Sequence, residues 1–268
     1  MADVLGPTTV PEIKKQGANR ALLLLWRFAV LIAVLLAWEI AARTVIDPFW
    51  VSQPSLILVR IWNLASTGAL LTNTTATLWE ALLGMALGMP VGVAIGIVFA
   101  AWPRVAEVLD PFLMGLYSLP RIALGPLFVI WFGVGLLSKV MLVFSLVVFV
   151  FILNTYQGLR EVDRDLTNLM RTMRASHAYT LRRVQIPSIL PWIIAAFRIN
   201  VGMALIGAVL GEMLGANRGL GWYITYSGGR LDTTGVFAGL VVLMATALVI
   251  NEAVKTAEAR LLPFHQKT

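Results

Sequence analysis

Apolar residues in this chain come in long runs, separated by short stretches that hold most of the charge. A helix needs roughly 20 predominantly apolar residues to cross the hydrocarbon core of a bilayer. By that ruler the pattern predicts spans near 20–42, 76–100, 106–133, 138–157, 189–212 and 235–258. The fold class expected from the pattern is all-α, a polytopic membrane protein with six transmembrane helices. The first run, Ala21 to Ala42, is longer than the apolar core of a signal peptide and lacks a small-residue cleavage pattern, so it reads as a span. The third run carries Pro111, Pro120 and Pro126 together with Asp110 and Arg121. It is expected to be kinked or locally unwound, in a place where protein or a water-filled cavity satisfies the freed backbone.

Three connections add detail. The stretch 54–66 opens with Pro54 and Ser55 and is apolar at Leu56, Val59, Trp62 and Leu64, which predicts a short helix on the outer surface. The stretch 214–234 is polar and glycine-rich and is expected outside. Within the connection 158–188, Leu166, Leu169, Met170 and Met173 recur at i, i+3, i+4 and i+7, which predicts an amphipathic helix over 166–178. No internal repeat is visible, which disfavours the inverted-repeat secondary transporters.

Composition agrees with a lipid environment. Of the 268 residues, 59% are hydrophobic and only 13% charged, against about a quarter charged in an average soluble domain. The formal net charge of +7 raises nucleic-acid binding as a rival. However, the cations lie between apolar runs rather than on one face, so headgroups and topology account for them, and no nucleic acid is expected. Lys14, Lys15 and Arg20 precede the first span, and Arg160, Arg164, Arg171, Arg174, Arg182 and Arg183 crowd the connection 158–188. The positive-inside rule then places the N-terminus, that connection and the C-terminus in the cytoplasm. The expected layout is a cytoplasmic tail over 1–19, a membrane domain over 20–262 and a second tail over 263–268. With no cysteine in the chain, disulfides, thiolate catalysis and Cys-ligated metals are excluded.

Few residues invite a chemical role. Gly84, Gly88, Gly92 and Gly96 recur every four residues along the second span, a spacing that lets another helix backbone approach closely. A packing seam is the first reading of that face and a substrate-lining wall the second. Arg121 and Arg198 fall near the middle of their spans, where a charge needs a partner or water. Either they line a pathway that attracts an anion, or they pair with Glu39, Glu80, Glu212 or Glu252, or they snorkel toward the interface. His177 and His265 lie far from any cluster of carboxylates, so no metal site is expected. Ser227-Gly228-Gly229-Arg230 superficially matches the signature of ATP-binding cassettes but sits in an outer loop, and no G-x-x-x-x-G-K-[ST] phosphate cradle is present. The chain is not expected to be an enzyme or to bind ATP.

Two segments carry a family resemblance. One runs from Tyr117-Ser-Leu-Pro-Arg121 through Gly125-Pro126 to Trp131-Phe-Gly-Val-Gly135. The other runs from Arg174-Ala175-Ser176 through Val184-Gln185-Ile186-Pro187 to Phe197-Arg198, Glu212 and Gly219-Leu-Gly221. Together, over about residues 20–262, they resemble the permeases of type I ABC importers in the branch serving nitrate, taurine and aliphatic sulfonates. The resemblance implies the type I permease fold, a multi-pass place in the bacterial inner membrane, and a substrate that is a small organic or inorganic anion. It also implies a second permease copy, two ATPase subunits that bind ATP and magnesium in place of this chain, and an extracytoplasmic substrate-binding protein.

The second segment aligns with the family's loop E-A-A-x-x-x-G-x9-I-x-L-P, which forms a coupling helix docked on the ATPase. Leu166, Leu169, Met170, Met173, Arg174, Ala175, Ser176 and Pro187 are the residues expected to couple the chain to that partner. Asn168-Leu169-Met170 replace Glu-Ala-Ala, and Arg174 stands at the glycine position. The rival class is a secondary transporter or channel that works without ATP, whose midplane charges would form an ion relay.

Overall fold

The computed structural model describes residues 20–261. The expected tails 1–19 and 263–268, with Lys14, Lys15, His265 and Lys267, lie outside the described residues, as do the side chains of Arg20, Arg164, His177 and Arg260. In chain order the helices are α1 (Arg20–Thr44), α2 (Pro48–Val51), α3 (Pro54–Ser66), α4 (Ala69–Ala101), α5 (Pro103–Ser118) and α6 (Gly125–Phe132). There follow α7 (Leu136–Arg160), α8 (Arg164–Thr172), α9 (His177–Thr180), α10 (Ile186–Gly215), α11 (Leu220–Gly229) and α12 (Thr233–Leu261). Among the described residues no strand occurs. Five helices are long and apolar enough to cross a membrane, and the bent pair α5 and α6 makes a sixth span if counted as one.

That bent pair occupies the third predicted span. Its two limbs meet at 83°, joined by a 3-10 turn over Arg121–Leu124. The three prolines act differently. Pro111 stays inside α5, and Pro126 lies in the first turn of α6, where a missing N–H leaves no helical bond unmade. Pro120 makes the break, because the residue before a proline is driven to extended backbone and Leu119 sits at φ −63° and ψ 133°.

The chain divides into two compact units. In the unit up to Ser55, Asp47 caps α2 by accepting from Phe49 N–H at 2.9 Å. Glu39, near the end of α1, accepts from the N–H and hydroxyl of Ser55 at 3.0 and 2.8 Å and pairs with Arg43 at 2.6 Å. In the unit from Leu56 onward, α7 packs against both α4 and α10, which also touch each other. Val143, Val147 and Phe151 of α7 are completely buried there, facing Ala81 and Met85 of α4 and Ala204 and Ala208 of α10. At the start of α12, Asp232 accepts from Arg60 of α3 at 2.6 Å.

Two connections differ from expectation. The glycine-rich stretch 214–234 contains the helix α11 rather than only loop. The amphipathic helix predicted over 166–178 ends at Thr172. Arg174 takes φ +55°, Ala175 N–H reaches Met170 carbonyl at 3.0 Å, and Arg174 N–H reaches Arg171 carbonyl at 2.9 Å. This paired bonding is a Schellman C-cap, which turns the chain out of the helix. Met173 is its cap, and Ala175 and Ser176 lie beyond it, ahead of α9.

Candidate functional site

Gly84, Gly88, Gly92 and Gly96 are all buried along α4. Each faces α7 one turn further on. A Cβ at Gly84 would collide with Val143, and one at Gly88 with Val147. At Gly92 it would stand 2.6 Å from Phe151 Cβ and 2.6 Å from Val148 carbonyl oxygen, and at Gly96 2.7 Å from Thr155 Cβ. Real Cβ atoms do not approach so closely, so the two backbones lie together only because these positions carry no side chain. From the opposite side, a Cβ at Gly207 of α10 would be 3.1 Å from Val143 Cα, and one at Gly211 3.2 Å from Lys139 Cα. Sequence reasoning passed over this second small face, although Ala204, Gly207, Ala208 and Gly211 recur at helical spacing.

One end of the same three helices holds a buried polar cluster. Glu212 of α10 is only 1% exposed. Thr77 hydroxyl donates to its Oε1 at 2.6 Å, and Gly221 N–H donates to its Oε2 at 2.6 Å. Leu220 N–H donates to Thr77 Oγ1 at 2.9 Å, and Gly219 N–H to Asn73 Oδ1 at 2.9 Å. The N–H groups that open α11, orphaned in any helix, are thus taken up by α4 and α10, with a carboxylate at the positive end of the helix dipole. Gly219 has φ +116°, and a Cβ there would overlap the Glu212 carboxylate. At Gly221 a Cβ would fall 2.9 Å from Glu212 Oε2. The Gly-Leu-Gly sequence is what allows the clamp to close.

Close to Thr77 along α4, Glu80 forms a buried ion pair with Lys139 of α7. Glu80 and Glu212 also interact electrostatically. Sequence reasoning treated these acids as partners for Arg121 or Arg198 and overlooked Lys139. The available signal was a lysine just inside an apolar run, which needs a buried carboxylate nearby.

The two midplane arginines have other partners. Arg121 lies buried at the break between α5 and α6, its guanidinium 4.9 Å from the Tyr117 ring and 4.6 Å from the Phe149 ring. Its Nη2 donates to Tyr117 carbonyl at 3.0 Å. Aromatic faces packed against a cation stabilise it where water is scarce. Arg198 stands 3.4 Å from Glu258 of α12 in a half-exposed pair, so its carboxylate partner is none of the four expected from the sequence.

In the segment 160–187, Asp163 caps α8 by accepting from Asp165 N–H at 2.8 Å. Leu166, Leu169 and Met173 are 46%, 55% and 70% exposed, and Met170 is half-buried. Arg171 and Arg174 are exposed beside that stripe. Ser176 Oγ accepts from Tyr179 N–H at 3.3 Å, and Pro187 lies in the first turn of α10. Between α7 and α8 a groove of about 450 Å³ is lined by Arg160, Asn168, Arg171 and Gln185. Among the described residues no group of three or more His, Cys, Asp or Glu side chains could hold a metal.

Several known proteins are similar to this chain. The profile described as binding-protein-dependent transport system inner membrane component matches residues 88–262. The formylaminopyrimidine transport permease protein ThiX of Halalkalibacterium halodurans is 35% identical, over 87% of this chain and 93% of its own. The putative aliphatic sulfonates transport permease protein SsuC of Bacillus subtilis is 30% identical, over 94% and 90%. The taurine transport system permease protein TauC of Escherichia coli is 29% identical, over 87% and 88%. An inward-facing structure of the MetNI methionine ABC transporter matches with TM-score 0.56 and 21% identity, over 77% of this chain and 95% of that one, which supports the fold.

Proposed function

This chain belongs to the family of binding-protein-dependent transport system inner membrane components and is an ABC importer permease subunit, and we propose that it forms the substrate pathway of an importer driven by separate ATPase subunits. In this reading two copies of the chain meet two ATPases in the cytoplasm, and an extracytoplasmic binding protein delivers the substrate. ATP binding and hydrolysis bias the paired permeases between inward- and outward-facing states. In this reading the N-terminus and the segment 158–188 lie on the cytoplasmic side, and the arginine distribution supports that orientation. The substrate is a small organic or inorganic anion, such as a sulfonate, taurine or nitrate. Arg121, packed against two rings at a broken span, is the pathway residue we favour for attracting it.

The observation that carries the coupling role is the uncovered apolar stripe of α8. Leu166 and Leu169 are exposed on the helix and Met173 at its C-cap, with Arg171 and Arg174 beside them. Lipid alone does not suit such a face, whereas a protein groove with an apolar floor and acidic rim does. Replacing Met170 and Met173 together with aspartate puts unpaired charges into that contact. The expected result is loss of the ATPase from the purified complex, or of ATP-driven uptake, with normal membrane insertion. A double variant that binds its ATPase and transports like the parent removes α8 from the coupling role.

A further inference from the structure

The apolar span α7 ends at Arg160, so the groove between α7 and α8 lies at the water boundary of the bilayer, the level of the lipid headgroups. Its polar wall carries the guanidinium groups of Arg160 and Arg171, the side-chain amides of Asn168 and Gln185 and the Thr167 hydroxyl, with no carboxylate among them. The surrounding stretch 158–188 holds six arginines against three acids, and none of those acids lines the groove. Glu161 accepts from Gln157 at 3.1 Å, and Asp163 caps α8. Among the described residues, neither Arg160 nor Arg171 has a carboxylate partner. Arg160 rests 5.5 Å from the Tyr156 ring, a contact that fixes the guanidinium but supplies no counter-charge. Two cations on one groove repel each other, whereas a shared anion gives each a charge-assisted hydrogen bond. Helix α8 also keeps this groove apart from its apolar stripe. Thr167, Asn168 and Arg171 stand at i, i+1 and i+4, across the helix from Leu166, Leu169 and Met170. Gln185 closes a turn of π-helix over Leu181–Gln185, a geometry frequent at functional sites.

We propose that this groove binds a phosphate group, held between Arg160 and Arg171 and oriented by the Asn168 and Gln185 amides. A volume of about 450 Å³ is larger than a bare phosphate ion needs and suits a phosphate ester, from a lipid headgroup or from a soluble molecule. A ligand there bridges the end of α7, the polar face of α8 and the turn before α10, and so fixes the helix whose other face carries the apolar stripe. Binding at this site stands independently of the importer reading.

The test uses the full chain, stripped of lipid in maltoside micelles and kept at constant ionic strength in a phosphate-free buffer. Three probes are added separately: glycerol 3-phosphate, phosphatidylglycerol, and diacylglycerol as the lipid without a phosphate. Amide hydrogen exchange over α8 is expected to slow about tenfold once a phosphate probe exceeds its dissociation constant by that factor. Slowing by glycerol 3-phosphate identifies a soluble ester as sufficient, and slowing by phosphatidylglycerol alone identifies a lipid headgroup. Arg171→Gln should weaken the binding about tenfold or more, the size of a hydrogen bond to a charged group. Because Arg171 is exposed, this variant should fold normally. Arg183→Gln removes the same charge from an exposed position that does not line the groove, and should leave the response intact. The site is overturned if no phosphate probe slows exchange, if diacylglycerol acts as well as phosphatidylglycerol, or if both variants lose the response equally. Release of the ATPase from the complex by Arg171→Gln, with no response to any phosphate probe, overturns it too and assigns the groove to the partner.

Discussion

Thr77 and Glu212, 135 positions apart, share a buried 2.6 Å hydrogen bond in which the threonine hydroxyl donates to the carboxylate while accepting from Leu220 N–H. One hydroxyl thereby ties α4, α10 and the start of α11 together. Thr77→Val keeps the shape and removes both bonds, leaving a buried carboxylate oxygen and a buried N–H with fewer partners. We expect a loss of about 2 kcal/mol, measured as a lower unfolding temperature in detergent. Thr77→Ser retains the hydroxyl and should recover most of it. Equal stability of the valine variant and the parent would show that the bond contributes nothing.

Gly219 makes the same clamp possible from the loop side. Its φ of +116° and the Glu212 carboxylate against its α-carbon both exclude a methyl group. Gly219→Ala is expected to cost more than about 2 kcal/mol, from backbone strain and displacement of Glu212 together. Gly229→Ala, at the far end of α11 with nothing within 4 Å, should change stability by less than about 0.5 kcal/mol. Similar losses in both variants would point to a general intolerance of α11 rather than to the clamp.

The membrane architecture was legible because a span is announced by length and apolarity alone, and the segments Leu136–Arg160 and Thr233–Glu258 need no tertiary information to be seen. The four-residue glycine stripe was legible for a similar reason, since periodicity along one helix reports a flat face. What that face meets was not legible, because the partner register, Val143 to Thr155, is a relation between two helices. The Glu80–Lys139 pair was hidden in the same way, 59 positions apart in sequence. If Arg198 was to be paired, four acids were plausible from the sequence, and the fold brings a fifth, Glu258. Helix α8 was placed from its apolar period, and its end was misjudged because arginine is a poor herald of a left-handed turn.

The glycine seam separates packing from propensity. Alanine favours a helix interior over glycine wherever space allows. Gly202 of α10 has nothing within 4 Å of an added Cβ, so Gly202→Ala should be neutral or slightly stabilising. Gly92→Ala gains the same propensity but drives a methyl into Phe151 Cβ and the Val148 carbonyl, where backbone must yield. A loss of about 1–3 kcal/mol is expected, read by detergent unfolding. If Gly92→Ala is as harmless as Gly202→Ala, the close approach of α4 and α7 does not depend on the missing side chain.

Arg174 closes α8 in a conformation that suits glycine. A β-carbon at φ +55° is crowded by the neighbouring carbonyl, at a cost of about 1–2 kcal/mol. Arg174→Gly should relieve part of it, strengthening the C-cap by about 1 kcal/mol. The readout is amide hydrogen exchange at Arg174 and Ala175, whose N–H groups make the two bonds of the turn. Exchange there is expected to slow about fivefold, since 1 kcal/mol is about that factor. Arg174→Ala keeps the β-carbon and should bring no slowing. This pair of variants distinguishes relief of backbone strain from removal of a positive charge, because both lose the guanidinium. If alanine slows exchange as much as glycine, the charge and not the turn limits the stability of α8.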